Sequence, residues 1–214
     1  MDLTLLKCAL KSEAVRFSLP IRDKQDEVIG ILIPVGSWIL GDPDTIAAIA
    51  EWRERAMRMF LTQFQSTIER TTHYLRNLSI GQTSRILFMI QDTEGSFVGH
   101  VGLADVTETQ AELDNLMRGK SGGPPDLMLA AEYEILKWGF GVLGLESIHL
   151  RILSYNFFAM DIHKSLGFVM TDEVPLFRET HAGQTTLEQC SPERTNVSFK
   201  CNVMSLNRDA FRGI

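Results

Sequence analysis

The chain has 214 residues, a formal net charge of -6, 44% hydrophobic residues and 22% charged ones. That is the composition of a globular protein with enough chain to bury one substantial core. The acidic balance argues against general nucleic-acid or anionic-membrane binding. The longest apolar run, Ile29 to Leu40, is too short to cross a bilayer and is interrupted by Pro34.

The N-terminal residues MDLTLLKCALKSEAV lack a basic region leading into an apolar stretch, so no signal peptide is evident. Cys8, Cys190 and Cys201 are too few and too widely spaced for a disulfide framework or a zinc site, which reads as reduced thiols in a cytoplasmic protein. The five histidines form no ligand pair and no G-x-S-x-G elbow is present, so neither a metal nor a serine nucleophile is expected.

In chain order, Val15–Ile21 and Val28–Val35 read as two strands joined by a charged turn, a hairpin. After the breaker at residues 41–44, the spacing of Ile46, Ile49, Trp52, Ala56, Met59 and Phe60 predicts a helix. A second helix is expected over about Thr67–Leu78. Strands follow at about Arg85–Gln91, Phe97–Asp105 and Gln110–Met117. A long helix is predicted over Asp126–Leu143 with Gly144 as its C-cap, then a strand at Ser147–Leu153 and a short helix at Phe157–Ser165. Val174–Arg178 and Val197–Leu206 read as the last strands. They flank a polar connection, Glu179 to Thr195, which is either partly mobile or extends those strands as a hairpin. Residues 1–43 read as an N-terminal hairpin extension, and 44–206 as the core of one domain. The hairpin or the final strands are expected to cover a sheet edge or to take part in a homodimer.

The most informative stretch runs from Leu113 to Phe168. A strand there enters a basic, glycine-rich turn, Arg118-Gly119-Lys120-Ser121-Gly122-Gly123, followed by Pro124-Pro125 and a helix. Small residues in such a turn let main-chain N–H groups converge on an anion at a helix N-terminus. Gly119-Lys120-Ser121 mimics the end of a P-loop, but Asp114 stands where that motif needs its first glycine. The dinucleotide fingerprint G-x-G-x-x-G is also absent.

Arg118, Ser121 and Gly123 occupy the three fixed places of a Q/R-x-x-G-x-G/A loop. Asn156-Phe157-Phe158-Ala159 and His163-Lys164-Ser165-Leu166-Gly167-Phe168 match an N-x-x-A pattern and a Y-x-x-x-G-F ending, with serine for one glycine and histidine for the tyrosine. On these motifs the chain resembles the Gcn5-related N-acetyltransferase (GNAT) superfamily, over roughly residues 44–206. The resemblance implies an α/β fold with a mixed, mostly antiparallel central sheet flanked by helices. It also implies acetyl-CoA as co-substrate and direct acetyl transfer to an amine.

Carried over residue by residue, the resemblance places pyrophosphate on Arg118, Gly119, Lys120, Ser121, Gly122 and Gly123. The pantetheine arm would pair with Leu116 and Met117, and Asn156 would hold it from the far side. An amide on Asn115 or Leu116 would donate to the thioester oxygen. Glu112, Asp114 and His100 are candidates, in that order, for the group that takes the amine's proton. Period-two spacing puts Glu112 and Asp114 on one face of their strand. His163 is expected to protonate the departing thiolate. Phe60 or Phe64 is expected to line the acceptor pocket, while Trp52 reads as core. The expected acceptor is a small-molecule amine, an amino sugar or nucleotide-linked amino sugar first. A protein N-terminus, or acyl-CoA binding without turnover, are the competing readings.

Overall fold

Ile86–Asp92 is buried at six of its seven positions, which a strand achieves only between two apolar layers. Its side chains alternate between two clusters. Ile86, Phe88 and Ile90 join one cluster with Ile135 and Trp138; Leu87 and Met89 join the other with Ile49 and Trp52. A helix therefore covers each face of the sheet, and the period-two side-chain rule assigns each residue to its layer.

The structure, a computed structural model, describes residues 2–212. In chain order its elements are α1 (Lys11–Ala14), β1 (Leu19–Arg22), β2 (Val28–Pro34), α2 (Pro43–Arg55), β3 (Thr62–Phe64) and α3 (Ile68–Tyr74). There follow β4 (Ile86–Asp92), β5 (Phe97–Ala104), β6 (Gln110–Arg118), α4 (Leu127–Trp138) and β7 (Ser147–Leu153). The chain ends with α5 (Phe157–Ser165), β8 (Val169–His181), β9 (Gln184–Gln189) and β10 (Lys200–Asn207). The strands lie in the order β1-β2-β4-β5-β6-β7-β10-β8-β9-β3. Neighbours are antiparallel except β6 and β7, which run parallel. This is the mixed, mostly antiparallel sheet with flanking helices that the sequence implied.

Local signals account for most boundaries. Asp42 caps α2 by accepting from the Thr45 amide, and Pro43 stands in the first turn. Gly144 ends the α4 region at φ +78, after a wider helical turn over Gly139–Leu143. Among the described residues no helix is long and apolar enough to cross a membrane.

The structure departs from the sequence reading in several places. Lys11–Ala14 and Val15–Phe17 are helical turns, so the first strand begins only at Leu19. The second predicted helix is regular only to Tyr74 and continues as a wider turn over Leu75–Ile80. The polar connection after Arg178 is the β8–β9 hairpin, whose far strand pairs with a short β3 that lacked any alternating signal. The N-terminal hairpin does extend the sheet and cover the edge of β4, as expected: β2 pairs with β4 from Gly30 to Pro34, and Ile21, Leu32 and Ile33 are fully buried.

Candidate active site

β6 and β7 pair over only three positions, Gln110–Glu112 against Ser147–His149. Beyond them the two strands share no ladder, although parallel continuation would set Leu153 opposite Leu116. The split leaves main-chain groups of one strand unpaired, and such groups seek a partner. On its other side β6 is bulged. His100 pairs with Met117 and Gly102 with Asp114, so Asn115 and Leu116 stand against Val101 alone. Asn115 adopts the left-handed conformation at φ +56, a conformation asparagine tolerates better than most residues. A bulge at this point turns the strand and frees an amide beside the split.

Tertiary contacts hold the bulge. The His100 ring nitrogen Nδ1 lies 2.7 Å from the Asn115 oxygen, and a carbonyl can only accept, so Nδ1 carries the proton. Burial lowers the His100 pKa to about 4 against the opposing pull of that bond, so the ring is neutral at pH 7. The Asn115 amide donates to Tyr74 Oη (3.0 Å) and to Asp114 (2.6 Å). Desolvation and the neighbouring Asp114 charge lift the Tyr74 phenol to about 12, so it stays protonated.

Against this bulge lies a cavity of about 650 Å³. Its lining gathers six residues singled out from sequence: Phe60, Phe64, His100, Glu112, Asp114 and Asn115. Glu112 and Asp114 do share a face, and each is held by an arginine. Arg151 reaches Glu112 with two parallel bonds of 2.9 Å, and Arg85 meets Asp114 at 2.5 Å. A carboxylate has about four acceptor sites, of which Arg151 uses two on Glu112. Arg53 lies 3.2 Å from the centre of the Phe60 ring, and burial lowers its pKa to about 10. Tyr74, Arg85 and Arg151 were not legible as site residues, because each is brought there by a contact distant in sequence; Arg53 enters the lining from α2 through local contacts with Phe60 and Thr62.

β6 leads directly into the basic loop. Arg118 spans the turn, donating to Gly122 O at 2.7 Å. The Gly119 and Lys120 amides both donate to Val98 O, so they are not free for a ligand. Among the described residues the amides of Ser121, Gly122 and Gly123 donate to no group of the chain. Gly122 and Gly123 have φ +156 and +65, the region that favours glycine. Gly119 is required for another reason: a Cβ there would stand 1.9 Å from the Trp52 ring. Arg55 also donates to the Gly119 oxygen, so the end of α2 fixes the loop. Three unpaired amides, two flanking cations and an open split are chemistry that fits a diphosphate joined to an extended arm. Asn156 stands three residues beyond β7, its side chain making no cap bond.

His163 is not among the residues that line the cavity. It is 5% exposed, and its Nδ1 lies 2.6 Å from Glu132 of α4, a carboxylate with no exposure at all. Its ring packs edge-on against Phe168. The helical spacing from Asn156 is as expected, and the ring expected to act as an acid is held through Nδ1 by a buried carboxylate. Glu132 was missed, although two acids, Glu132 and Glu134, within the otherwise apolar and aromatic run Leu127–Leu136 were the available signal.

A family model described as an acetyltransferase (GNAT) domain matches residues 38–169. The chain belongs to the GNAT acetyltransferase family. Solved GNAT structures share its fold at low identity. Spermidine N-acetyltransferase from Vibrio cholerae, in complex with CoA and spermine, is 16% identical, with a TM-score of 0.60 over 79% of this chain and 92% of that one. FdhC, a nucleotide-linked sugar GNAT, is 13% identical, with a TM-score of 0.61 over 90% and 92%. The Campylobacter jejuni N-acetyltransferase PseH, in complex with acetyl coenzyme A, is 15% identical, with a TM-score of 0.51 over 77% and 91%. No curated protein matches the chain. As a GNAT acetyltransferase the molecule is an enzyme, and its split, bulge and basic loop are contiguous along one strand and the turn that follows it.

Proposed function

We propose that this acetyltransferase moves the acetyl group of acetyl-CoA directly to a primary amine of a small molecule, with an amino sugar or nucleotide-linked amino sugar as the acceptor. The observation that carries this reading is the meeting of the cavity with the β6–β7 split at Glu112, Asp114 and Asn115.

Acetyl-CoA supplies the activated acyl group when bound; this chain's residues do the rest. The Ser121–Gly123 amides, with Arg118 and Lys120, hold its diphosphate, and Asn156 holds its arm. The amide of Leu116, at the bulge, donates to the carbonyl oxygen where negative charge develops, an arrangement worth ~2.7–4 kcal/mol in such sites. Glu112 accepts the amine's proton through the acceptor sites Arg151 leaves open, directly or through a water. Asp114 orients the same amine. His100, neutral and bonded to Asn115, keeps the bulge in place rather than acting as the base.

The acceptor side is consistent with a sugar. Phe60 and Phe64 line the cavity, which at about 650 Å³ is large enough for a monosaccharide. The Vibrio cholerae neighbour bound to spermine shows that this fold also accepts polyamines, so fold alone does not choose. Incubating the protein with acetyl-CoA and an amine panel, and following free thiol, tests the reading. The panel comprises glucosamine, UDP-glucosamine, spermidine and short peptides. Amine-dependent thiol release with the sugars is expected; release with peptides alone would overturn the acceptor class.

A further inference from the structure

The chain is acidic overall, yet the acceptor cavity is not. Four arginines line it, Arg53, Arg70, Arg85 and Arg151, against two carboxylates, Glu112 and Asp114. Those two acids are paired with Arg151 and Arg85. Among the described residues Arg53 and Arg70 are in no ion pair. Two guanidinium charges thus remain without a paired carboxylate at one end of the cavity.

Their placement is organised. Arg53 packs over Phe60 at 3.2 Å and lies 5.6 Å from the Phe64 ring centre; Arg70 approaches the same Phe64 ring at 5.1 Å. Aromatic faces hold the two cations but do not satisfy their donors. Arg53 makes one hydrogen bond, to Thr62 O, while its Nε is buried without a partner. Ser66 Oγ and Arg85 Nε, in the same lining, are also buried and unpartnered. A buried donor without an acceptor costs stability, and a buried charge without a partner costs more. The unpaired charges of Arg53 and Arg70 at one cavity point to an anionic ligand.

We propose that Arg53 and Arg70 form an anion-recognising end of the acceptor cavity, and that the natural acceptor is an amine carrying a phosphoryl group. This rests on the reading of the cavity as the acceptor site and deepens it. The geometry assigns the amine to the Glu112 end and the phosphoryl group to the Phe64 end. A polyamine, cationic along its length, meets two unpaired guanidinium groups there and is disfavoured. Arg70, on the exposed side of α3, is the specificity-determining residue of the pair, because among the described residues its guanidinium is in no ion pair and packs only over Phe64.

The test reads binding and does not depend on turnover. Calorimetry is run with saturating CoA, so that the loop is filled, and with glucosamine, glucosamine 1-phosphate, UDP-glucosamine or spermidine as titrant. The unaltered protein should bind at least one phosphoryl-bearing sugar about tenfold or more tighter than glucosamine, with affinity falling as salt rises. The two phosphoryl-bearing arms tell a sugar phosphate from a sugar nucleotide. Arg70→Gln should weaken that ligand about ten- to a hundredfold, the usual range for losing a hydrogen bond to a charged group, and Arg70→Lys should restore part of it. The glucosamine constant should move far less. Tighter binding of spermidine, or an equal change for glucosamine and its phosphate in Arg70→Gln, would overturn the inference. If phosphoryl-bearing sugars bind as expected but no amine is acetylated, the proposed reaction fails while this site stands.

Discussion

His100 Nδ1 and the Asn115 carbonyl oxygen, 2.7 Å apart, tie β5 to the bulge of β6. The bond needs only the neutral ring, and burial keeps it neutral. The unfolded chain takes up a proton on this residue below about 6.5, whereas the folded chain does so only below about 4. Stability contributed by the neutral ring is therefore complete above pH 6.5 and is lost as pH falls toward 4, by ~3 kcal/mol over that interval. His100→Gln should flatten this acid limb of the melting temperature against pH. An unchanged acid limb in the variant would show that the ring titrates normally.

The His163–Glu132 pair predicts a stability effect. His163→Phe leaves a fully buried carboxylate with no partner and should cost about 3–5 kcal/mol. Replacing both residues, as Glu132→Leu with His163→Phe, should recover most of that loss. Urea unfolding of the two variants measures it. A single variant as stable as the parent would mean that the pair does not hold α4 to α5.

The loop makes a cofactor prediction. Acetyl-CoA should raise the melting temperature of the unaltered protein, since a ligand that binds only the folded state stabilises it by mass action. Gly123→Val should abolish that rise, because φ +65 disfavours a branched residue and its Cβ would stand 2.5 Å from Leu127. Gly119→Ala should instead lower the melting temperature of the free protein, through collision with Trp52. An equal acetyl-CoA shift in Gly123→Val and parent would move the diphosphate elsewhere.

Much of this arrangement was legible because it rests on local patterns. Ser147–Leu153 and Phe157–Ser165 have the same bounds in sequence and structure, since alternation and helical spacing are local. Glu112 and Asp114 could be placed on one face for the same reason. The β8–β9 hairpin was harder: its end carries polar residues such as Thr180, Thr185 and Thr186, and Leu176 and Leu187 alone are buried, too few to show an alternation. Val15–Phe17 looked like strand from its apolar residues, yet Val15 and Phe17 are exposed on a helical turn. The ion pairs of Arg85 and Arg151 span 29 and 39 residues. Only the tertiary fold brings such partners together, and His163 was drawn inward by a residue 31 positions away.

The N-terminal hairpin bears on any shortened form. Removing the chain up to Val35 would strip β2 from β4, exposing an edge and the core around Phe88 and Ile90. Such a protein should unfold or aggregate rather than merely change assembly. A soluble, equally stable product by size-exclusion chromatography and thermal melting would contradict this.

The proposed reaction takes place at the point where β6 and β7 part, with Glu112 proposed as the group that takes the proton. The most direct measurement is the rate of amine-dependent thiol release by Glu112→Gln, with acetyl-CoA affinity determined alongside. Glutamine keeps the shape and one acceptor toward Arg151 but cannot take the proton. Turnover should fall by roughly 10²–10⁴-fold with acetyl-CoA binding unchanged. Turnover at the parent rate would contradict the assignment.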